Sequence, residues 1–219
     1  MKTRYWQTWF VALWIVLSMP SAAFAQAPKK ASAAQAQAMI AKINQTAAQV
    51  KTLECRFDQV KTLSFLNDKL TSHGVMYYSG DNGRLRWEYQ QPYSYVLVIS
   101  NGQVHIKSKQ QDSTIDLSQS RLFKGIADVM MESMTGRSLS QGKDFAVEML
   151  TQGDDWIARL TPKQKEMKRL FSTISLCFDS KKQMVKRVVM TERSGDTTTI
   201  TLLGVKTNQR IDEKVFAVR

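Results

Sequence analysis

The feature that most constrains this chain is a two-residue alternation of apolar and polar side chains, which recurs over most of its length. It is clearest between Arg84 and Gln90, where Leu85, Trp87 and Tyr89 are separated by charged residues. Successive side chains of a strand point to opposite faces, so this pattern predicts a β-strand with one buried face.

Similar stretches, rich in β-branched and aromatic residues, predict about eleven strands separated by turn signals such as Asn101-Gly102. They cover residues 53–62, 73–79, 84–90, 94–100, 103–109, 112–117, 144–150, 155–161, 170–178, 184–193 and 197–206, followed by a short apolar run, Val215–Val218. Their spacing favours an antiparallel meander. So many strands exceed one flat layer, and we expect an incomplete barrel or a strongly bent sheet.

Two segments have helical periodicity instead. The first spans 35–51, with apolar residues at Met39, Ile43, Ala47 and Val50, and the second spans about 121–134, with Leu122, Ile126, Val129, Met130 and Met134. We expect both helices to cover the open face of the sheet. The predicted fold class is therefore mainly β with helices (α+β).

The N-terminus has the pattern of a secretory signal peptide. Lys2 and Arg4 precede the apolar run Phe10–Leu17, and Ala23-Phe24-Ala25 fits cleavage after Ala25. The run is too short to span a bilayer comfortably, which disfavours the alternative of an uncleaved anchor. We expect a signal peptide at 1–25, a flexible leader at 26–34 and a single domain at 35–219. The residue directly after the cleavage site is Gln26 and not a cysteine, which favours a soluble exported protein over a lipid-anchored one.

The chain is strongly basic, with 31 Lys+Arg against 19 Asp+Glu. Loss of the first 25 residues would remove Lys2 and Arg4 and no acidic residue, so the net charge would fall from +12 to +10. Such a basic surface could bind nucleic acid, anionic lipid head groups or an acidic protein. Because the basic residues are spread along the chain, charge alone does not choose among these partners.

Catalytic and metal-binding patterns find no support in the sequence. It lacks the glycine-rich and nucleophile motifs of common enzymes, and two cysteines with two histidines do not make a zinc cage. His73 and His105 fit surface positions on or beside strands. Alternation places Cys55 on an apolar face and Cys177 on the opposite face of its strand, which argues against a disulfide. We therefore expect no catalytic residue, no metal and no cofactor.

Several motifs together resemble one known family, the LolA-type carriers that ferry lipoproteins across the periplasm of Gram-negative bacteria. The resemblance rests on an ordered set of short elements along nearly all of the exported chain. These are Phe57-Asp58-Gln59-Val60-Lys61, Gly74, Arg84-Leu85-Arg86-Trp87-Glu88-Tyr89-x-x-Pro92, Asn101-Gly102, Leu160-Thr161-Pro162-Lys163, Cys177-Phe178-Asp179, Asn208 and Phe216.

The resemblance implies an incomplete antiparallel barrel of about eleven strands, lidded by helices around an apolar cavity for acyl chains. The residues expected to line that cavity are Phe57, Met76, Leu85, Trp87, Tyr89, Ile126, Met130 and Met134. It further implies a monomeric periplasmic carrier that takes lipoproteins from an inner-membrane lipoprotein-releasing transporter to an outer-membrane receptor. Nucleic acid is not an expected partner.

One departure from the family pattern concerns the lid. Many members carry an Arg-Pro pair just before the strand that holds the tryptophan, and its arginine tethers the closed lid. Here the corresponding turn is Ser79–Gly83, and alternation points Arg84 and Arg86 away from the Trp87 face. Two alternatives stay open beside lipoprotein transport: a carrier of another lipid or glycolipid, and a periplasmic lipid-sensing regulator.

Overall fold

The computed structural model describes residues 27–66, 68–119, 124, 127, 131, 139 and 144–217. The continuous stretches among these residues form one antiparallel sheet of twelve strands with two helices and a final 3₁₀ turn. The strands are β1 (Lys29–Lys30), β2 (Thr52–Leu63), β3 (Asp68–Ser79), β4 (Arg84–Gln91), β5 (Tyr95–Ser100), β6 (Gln103–Ser108), β7 (Asp112–Asp116), β8 (Phe145–Gln152), β9 (Asp155–Pro162), β10 (Phe171–Asp179), β11 (Met184–Glu192) and β12 (Thr197–Thr207). The helices are α1 (Ala33–Gln49) and α2 (Lys165–Leu170), and the 3₁₀ turn is Glu213–Phe216.

The sheet is open rather than a closed barrel. Its strand order is β1-β8-β9-β10-β11-β12-β2-β3-β4-β5-β6-β7, so that β1 and β7 form its two edges. The predicted class, mainly β with an incomplete antiparallel barrel, is confirmed, and all eleven predicted strands are present as β2–β12.

Three short elements differ from the sequence prediction. Lys29–Lys30, in the segment expected to be a leader, pairs with β8, so this part of the segment is attached to the sheet edge. Helix α2 was not predicted, because six residues with Met167 as their one buried side chain show no helical period. The apolar run that begins at Val215, which was predicted neither as a strand nor as a helix, starts within a 3₁₀ turn.

Helix α1 is fixed at both of its ends. At its start, the Ser32 hydroxyl accepts from the Gln35 backbone N–H at 3.3 Å, and the Gln35 side chain accepts from the Ser32 N–H at 3.0 Å, a capping box. Just beyond its end, the Asn208 side chain accepts from the Lys51 N–H at 2.8 Å and donates to the Gln49 carbonyl at 3.0 Å. The helix buries Met39, Ile43 and Ala47 in the core, as its periodicity predicted.

The two faces of the sheet bury different amounts of apolar surface. The main core lies on the concave face and contains Cys55, whereas Cys177 belongs to a small separate cluster with Leu150 and Ile157. Both cysteines are free, as the strand pattern predicted.

Antiparallel pairing gathers the turns at two ends of the sheet. The glycine end comprises turns 80–83, 101–102, 153–154 and 180–183, where Gly83, Gly102 and Gly153 adopt positive φ. The hairpin end comprises turns 64–66, 92–94, 109–111 and 193–196 together with residues 163–170, which include α2.

Candidate functional site

Five predicted cavity residues lie together on the concave face of three neighbouring strands. They are Phe57 on β2, Met76 on β3, and Leu85, Trp87 and Tyr89 on β4. The register places Met76 directly opposite Trp87. Four of the five are essentially inaccessible, with Phe57, Met76 and Leu85 at 0% and Trp87 at 2% exposure, whereas Tyr89 is half-buried.

The rings on this face form a continuous aromatic cluster. The centroids of Phe57 and Trp87 are 4.5 Å apart, and those of Phe57 and Tyr89 are 5.1 Å apart in an edge-on arrangement. Tyr89 then contacts Tyr95 of β5 at 5.6 Å. All three distances fall within the favourable range for aromatic pairs.

Gly74 provides the space that the Phe57 ring occupies. The two residues are opposite each other in the β2–β3 register. A Cβ at position 74 would lie 2.5 Å from Phe57 Cζ and would also clash with the Glu88 carbonyl oxygen. The glycine that the family resemblance pointed to is therefore required by packing at this site.

The apolar face continues onto strands that the sequence reasoning did not assign to the site. Its further members are Tyr95, Leu97 and Ile99 on β5, Val104 and Ile106 on β6, and Ile115 on β7. Residues 95–99 are apolar at every position, and Val98 on the other face is also fully buried, so alternation could not select a face. Only the pairing of Leu97 with Trp87 identifies the inward set. We call the concave surface of β2–β7 the aromatic half.

The remaining predicted cavity residues, Ile126, Met130 and Met134, lie outside the described residues. Their neighbours Lys124, Ala127 and Met131 are helical. Ala127 and Leu139 are each 3% exposed, and both belong to the main core, against which Met131 also packs. This part of the chain therefore contributes to the cover of the concave face.

The other part of the concave face is filled in a different way. We call the surface of β8–β11 the helix half, because α1 contacts β8 and β11. Its inward residues are mostly aliphatic, such as Ala158, Leu160, Ile174 and Leu176, and they also include Met149 and the rings of Phe145, Trp156 and Phe178. They form one cluster with the buried side chains of α1.

The aromatic half becomes more polar toward the hairpin end. Along β4, burial falls from Leu85 through Trp87 to the half-buried Tyr89. The Tyr89 hydroxyl donates to Gln59 Oε1 at 2.9 Å, and burial raises the pKa of Tyr89 to about 12. The hydroxyl therefore stays protonated near neutral pH. This end of the face combines apolar rings with hydrogen-bonding groups.

The outer face of β4, opposite the aromatic half, contacts residues 213–217. Arg86 Nη1 donates to the carbonyls of Val215 at 3.1 Å and Ala217 at 3.3 Å, and Arg86 also pairs with Glu88. Arg84 pairs with Glu213 and lies over the Phe216 ring at 4.8 Å. Both arginines therefore point away from Trp87, as alternation predicted.

The described residues offer little for catalysis or for a membrane span. His73 pairs with Asp58 at 2.6 Å and His105 with Thr114 at 2.8 Å, and all four side chains are at the surface. Within the described ranges, no three His, Cys, Asp or Glu residues are grouped to hold a metal. Over the same residues, no helix combines the length and the apolar character that a bilayer crossing needs.

Comparisons with known proteins agree with this architecture. The profile of one family, "Outer membrane lipoprotein carrier protein LolA", matches residues 48–219. The search of curated proteins found no match.

Three solved structures share the fold at low sequence identity. MucB has a TM-score of 0.53 at 12% identity, over 86% of this chain and 64% of that one. An uncharacterized conserved protein from Thermus thermophilus has a TM-score of 0.51 at 10% identity, over 84% and 94%. The MucA/MucB complex of Pseudomonas aeruginosa has a TM-score of 0.50 at 10% identity, over 84% and 61%.

Proposed function

Because the chain belongs to the LolA family of outer membrane lipoprotein carriers, we propose that it is a periplasmic carrier of lipoprotein acyl chains. The aromatic half is the surface that receives those chains. The signal-peptide pattern at residues 1–25 supports export, with Gln26 as the first residue of the exported form.

The observation that carries this proposal is the continuous apolar face of the aromatic half on an open sheet. Exposing an acyl chain to water costs about 0.8 kcal/mol per CH₂, so a soluble carrier must offer a comparable dry surface. Contacts to such chains are non-directional. The Phe57 and Trp87 rings supply wide apolar area, and Met76 can repack around a flexible chain.

The gradient along the aromatic half suggests an orientation for the cargo. Acyl chains would lie against Leu85 and Trp87, where the face is fully apolar. The polar backbone of the lipoprotein's first residue would lie near Tyr89 and Gln59, which can donate and accept hydrogen bonds.

Uptake on this account requires the cover to move. Phe57, Met76 and Trp87 are buried, so an acyl chain reaches them only after the residues packed over the concave face are displaced. The family's tethering arginine is missing from turn 79–83. Opening is therefore opposed by apolar contacts such as those of Ala127 and Leu139 rather than by that latch.

A carrier of this kind needs one partner that loads it and one that empties it. An inner-membrane lipoprotein-releasing transporter and an outer-membrane receptor are the partners expected for the family. Each transfer exchanges one apolar environment for another, so the acyl chains are never released into water.

Native mass spectrometry with lipid extraction, on protein purified from its own periplasm, tests this function. We expect co-purified lipoprotein or its acylated N-terminal fragment. Leu97→Trp adds bulk to the aromatic half without a charge, and it should lose most of the bound species. Val147→Trp makes a comparable addition in the helix half and should retain them, with circular dichroism confirming that both variants fold.

Other outcomes would replace the proposal. Extracted glycolipid or phospholipid without lipoprotein would assign the carrier a different cargo. Protein that is folded and free of lipid from every preparation, with a co-purified protein partner instead, would favour the regulatory alternative.

A further inference from the structure

All five exposed large apolar side chains among the described residues lie at the hairpin end. Phe65 is 95% exposed and Leu66 64%, at the tip of the β2–β3 hairpin, and Leu70 follows on β3 at 53%. Tyr93, in the β4–β5 turn, is 82% exposed, and Leu170, at the end of α2, is 38% exposed. Single exposed apolar residues are ordinary, but their concentration at one end of a molecule marks an interaction surface.

The tip of the β2–β3 hairpin projects beyond the strands on one side. The β3–β4 pairing ends at His73, whereas β3 begins at Asp68, five residues farther out. At about 3.3 Å per residue, the hairpin extends about 17 Å past the end of β4. Phe65 and Leu66 are therefore on a convex extremity rather than in a groove.

The base of this tip is held by hydrogen bonds. The Ser64 N–H donates to Asp196 Oδ1 at 2.8 Å, and the Ser64 hydroxyl bonds the same carboxylate at 2.9 Å and the Ser194 carbonyl at 3.2 Å. In the same turn, the Arg193 N–H donates to the Leu170 carbonyl at 3.0 Å, which joins α2 to this turn. Tip, turn and α2 thus form one connected surface.

Basic residues surround the apolar ones. Lys69 adjoins the tip, Arg193 lies in the β11–β12 turn, and Lys165, Lys168 and Arg169 are on α2. The acidic residues of the same elements are Asp68, Glu166, Glu192 and Asp196, of which Glu192 pairs with Lys61 and Asp196 accepts from Ser64. A convex apolar tip with cations around it matches a surface that is anionic outside and apolar beneath, which is the profile of an anionic bilayer.

We propose that the hairpin end docks on anionic lipid bilayers, with Phe65 and Leu66 inserted and the surrounding cations on the head groups. Leu70 shares the concave-face side of β3 with Gly74 and Met76, so docking would bring the open rim of the aromatic half to the membrane. The docking itself does not depend on which cargo the aromatic half carries.

Vesicle co-sedimentation of the exported protein tests the apolar part. We expect binding to vesicles of phosphatidylglycerol and phosphatidylethanolamine in equal parts, and weak binding to phosphatidylcholine alone. The double variant Phe65→Ser/Leu66→Ser should bind the anionic vesicles about tenfold more weakly or worse. Unchanged binding in this variant, or no binding by the unmodified protein, would overturn the proposal and leave a protein partner as the occupant of the tip.

Two charge reversals test the location. Lys168→Glu/Arg169→Glu, at the hairpin end, should weaken binding to anionic vesicles severalfold. Lys181→Glu/Lys182→Glu makes the same change at the glycine end and should have little effect. Equal losses would show that net charge alone drives binding, and would contradict a defined docking surface.

Insertion itself can be observed with a fluorescent probe. Vesicles with brominated acyl chains should quench the fluorescence of the tryptophan introduced by Phe65→Trp. They should not quench that of the tryptophan introduced by Asn82→Trp, in the β3–β4 turn. Uptake of a fluorescent fatty acid in vesicle-free solution should be unaffected by Phe65→Ser/Leu66→Ser. If the unmodified protein takes up fatty acid but does not bind vesicles, the docking proposal fails and the carrier function stands. If it binds vesicles but takes up no fatty acid, the carrier function fails and the docking proposal stands.

Discussion

The two halves of the concave face both bury apolar side chains but differ in how they are covered. The helix half is mostly aliphatic and lies under α1, which is fixed by a capping box at one end and by Asn208 at the other. The aromatic half contains the Phe57–Trp87, Phe57–Tyr89 and Tyr89–Tyr95 ring contacts. Its burial also decreases toward one end, at Tyr89.

We propose that this difference separates a permanent core from a surface that can be uncovered. A core that is never opened is best filled by interlocking aliphatic side chains under an anchored helix. A surface that exchanges partners benefits from a cluster of flat rings, which make good contacts with several shapes. The same substitution in the two halves should therefore have different consequences.

Leucine truncation gives the largest expected effect. Leu85 and Leu160 are 0% and 1% exposed, in the aromatic and helix halves respectively. Each Leu→Ala variant should lose about 2–5 kcal/mol of unfolding free energy, measured by denaturant titration. Lauric acid should restore more of this loss in Leu85→Ala, because a bound chain can fill the new cavity and binds only the folded protein. Equal recovery in both variants would remove the distinction between the halves.

High pH should destabilise the protein through a thiol in the aromatic half. Burial raises the pKa of Cys55 to about 12 from an ordinary value of 9.0. The unfolded thiol ionises first, so its contribution to stability is complete below pH 9 and is lost as pH rises from 9 toward 12. By about pH 10.5 the loss should reach about 2 kcal/mol.

Thermal or denaturant unfolding at several alkaline pH values measures this effect. Cys55→Ala lacks the thiol, so its stability should fall less steeply over the same range. Parallel curves for the two proteins would contradict the assigned burial of Cys55.

A matched pair of phenylalanines tests binding more selectively. Phe57 and Phe178 are both fully buried, one in each half. Phe57→Leu removes the contacts with Trp87 and Tyr89, so we expect about a tenfold loss of fatty-acid affinity, equivalent to about 1.4 kcal/mol. Phe178→Leu should lower stability similarly but leave affinity unchanged in a fluorescent displacement titration. A loss of affinity in Phe178→Leu as large as in Phe57→Leu would place the binding surface elsewhere.

The smallest effect concerns the outer face of the aromatic half. Arg86→Ala removes the bonds to Val215 and Ala217, and should cost about 1 kcal/mol of stability. Hydrogen exchange of the amides around the 3₁₀ turn should accelerate, whereas fatty-acid affinity should not change. If affinity fell with stability unchanged, the C-terminal segment would have a direct role in binding.

Alternation in the sequence predicted the strands well because most of them have one polar face. It gave β2–β12 within a few residues for most strand ends, and the outward direction of Arg84 and Arg86. It could not tell which face of β5 points inward, because both faces of this strand are buried. It also did not predict β1 and α2, which are too short to show a period.

Within the candidate site, the sequence identified β4 and its neighbours but not their limits. Phe57, Met76, Leu85, Trp87 and Tyr89 do lie on one face, yet their extension onto Leu97 and Ile106 depends on strand register. Phe65 and Leu66 lie between the predicted strands 53–62 and 73–79, and no local pattern marks them as a projecting tip. Their exposure follows from how far β2 and β3 extend beyond β4, which no local pattern reports.

The most direct test of the central claim uses two tryptophans, Trp87 and Trp156, one in each half. Trp87 is on β4, in the aromatic half. Trp156 is on β9, in the helix half, and Lys42 Nζ lies 5.9 Å from the centroid of its ring. Trp156→Phe leaves Trp87 as the reporter, and Trp87→Phe leaves Trp156. Each variant, prepared without residues 1–25 so that Trp6, Trp9 and Trp14 do not contribute, is titrated with 9,10-dibromostearic acid, and the quenching identifies which half the acyl chain contacts. The account predicts strong quenching of Trp87 and little quenching of Trp156, whereas equal quenching, or quenching of Trp156 alone, would contradict it.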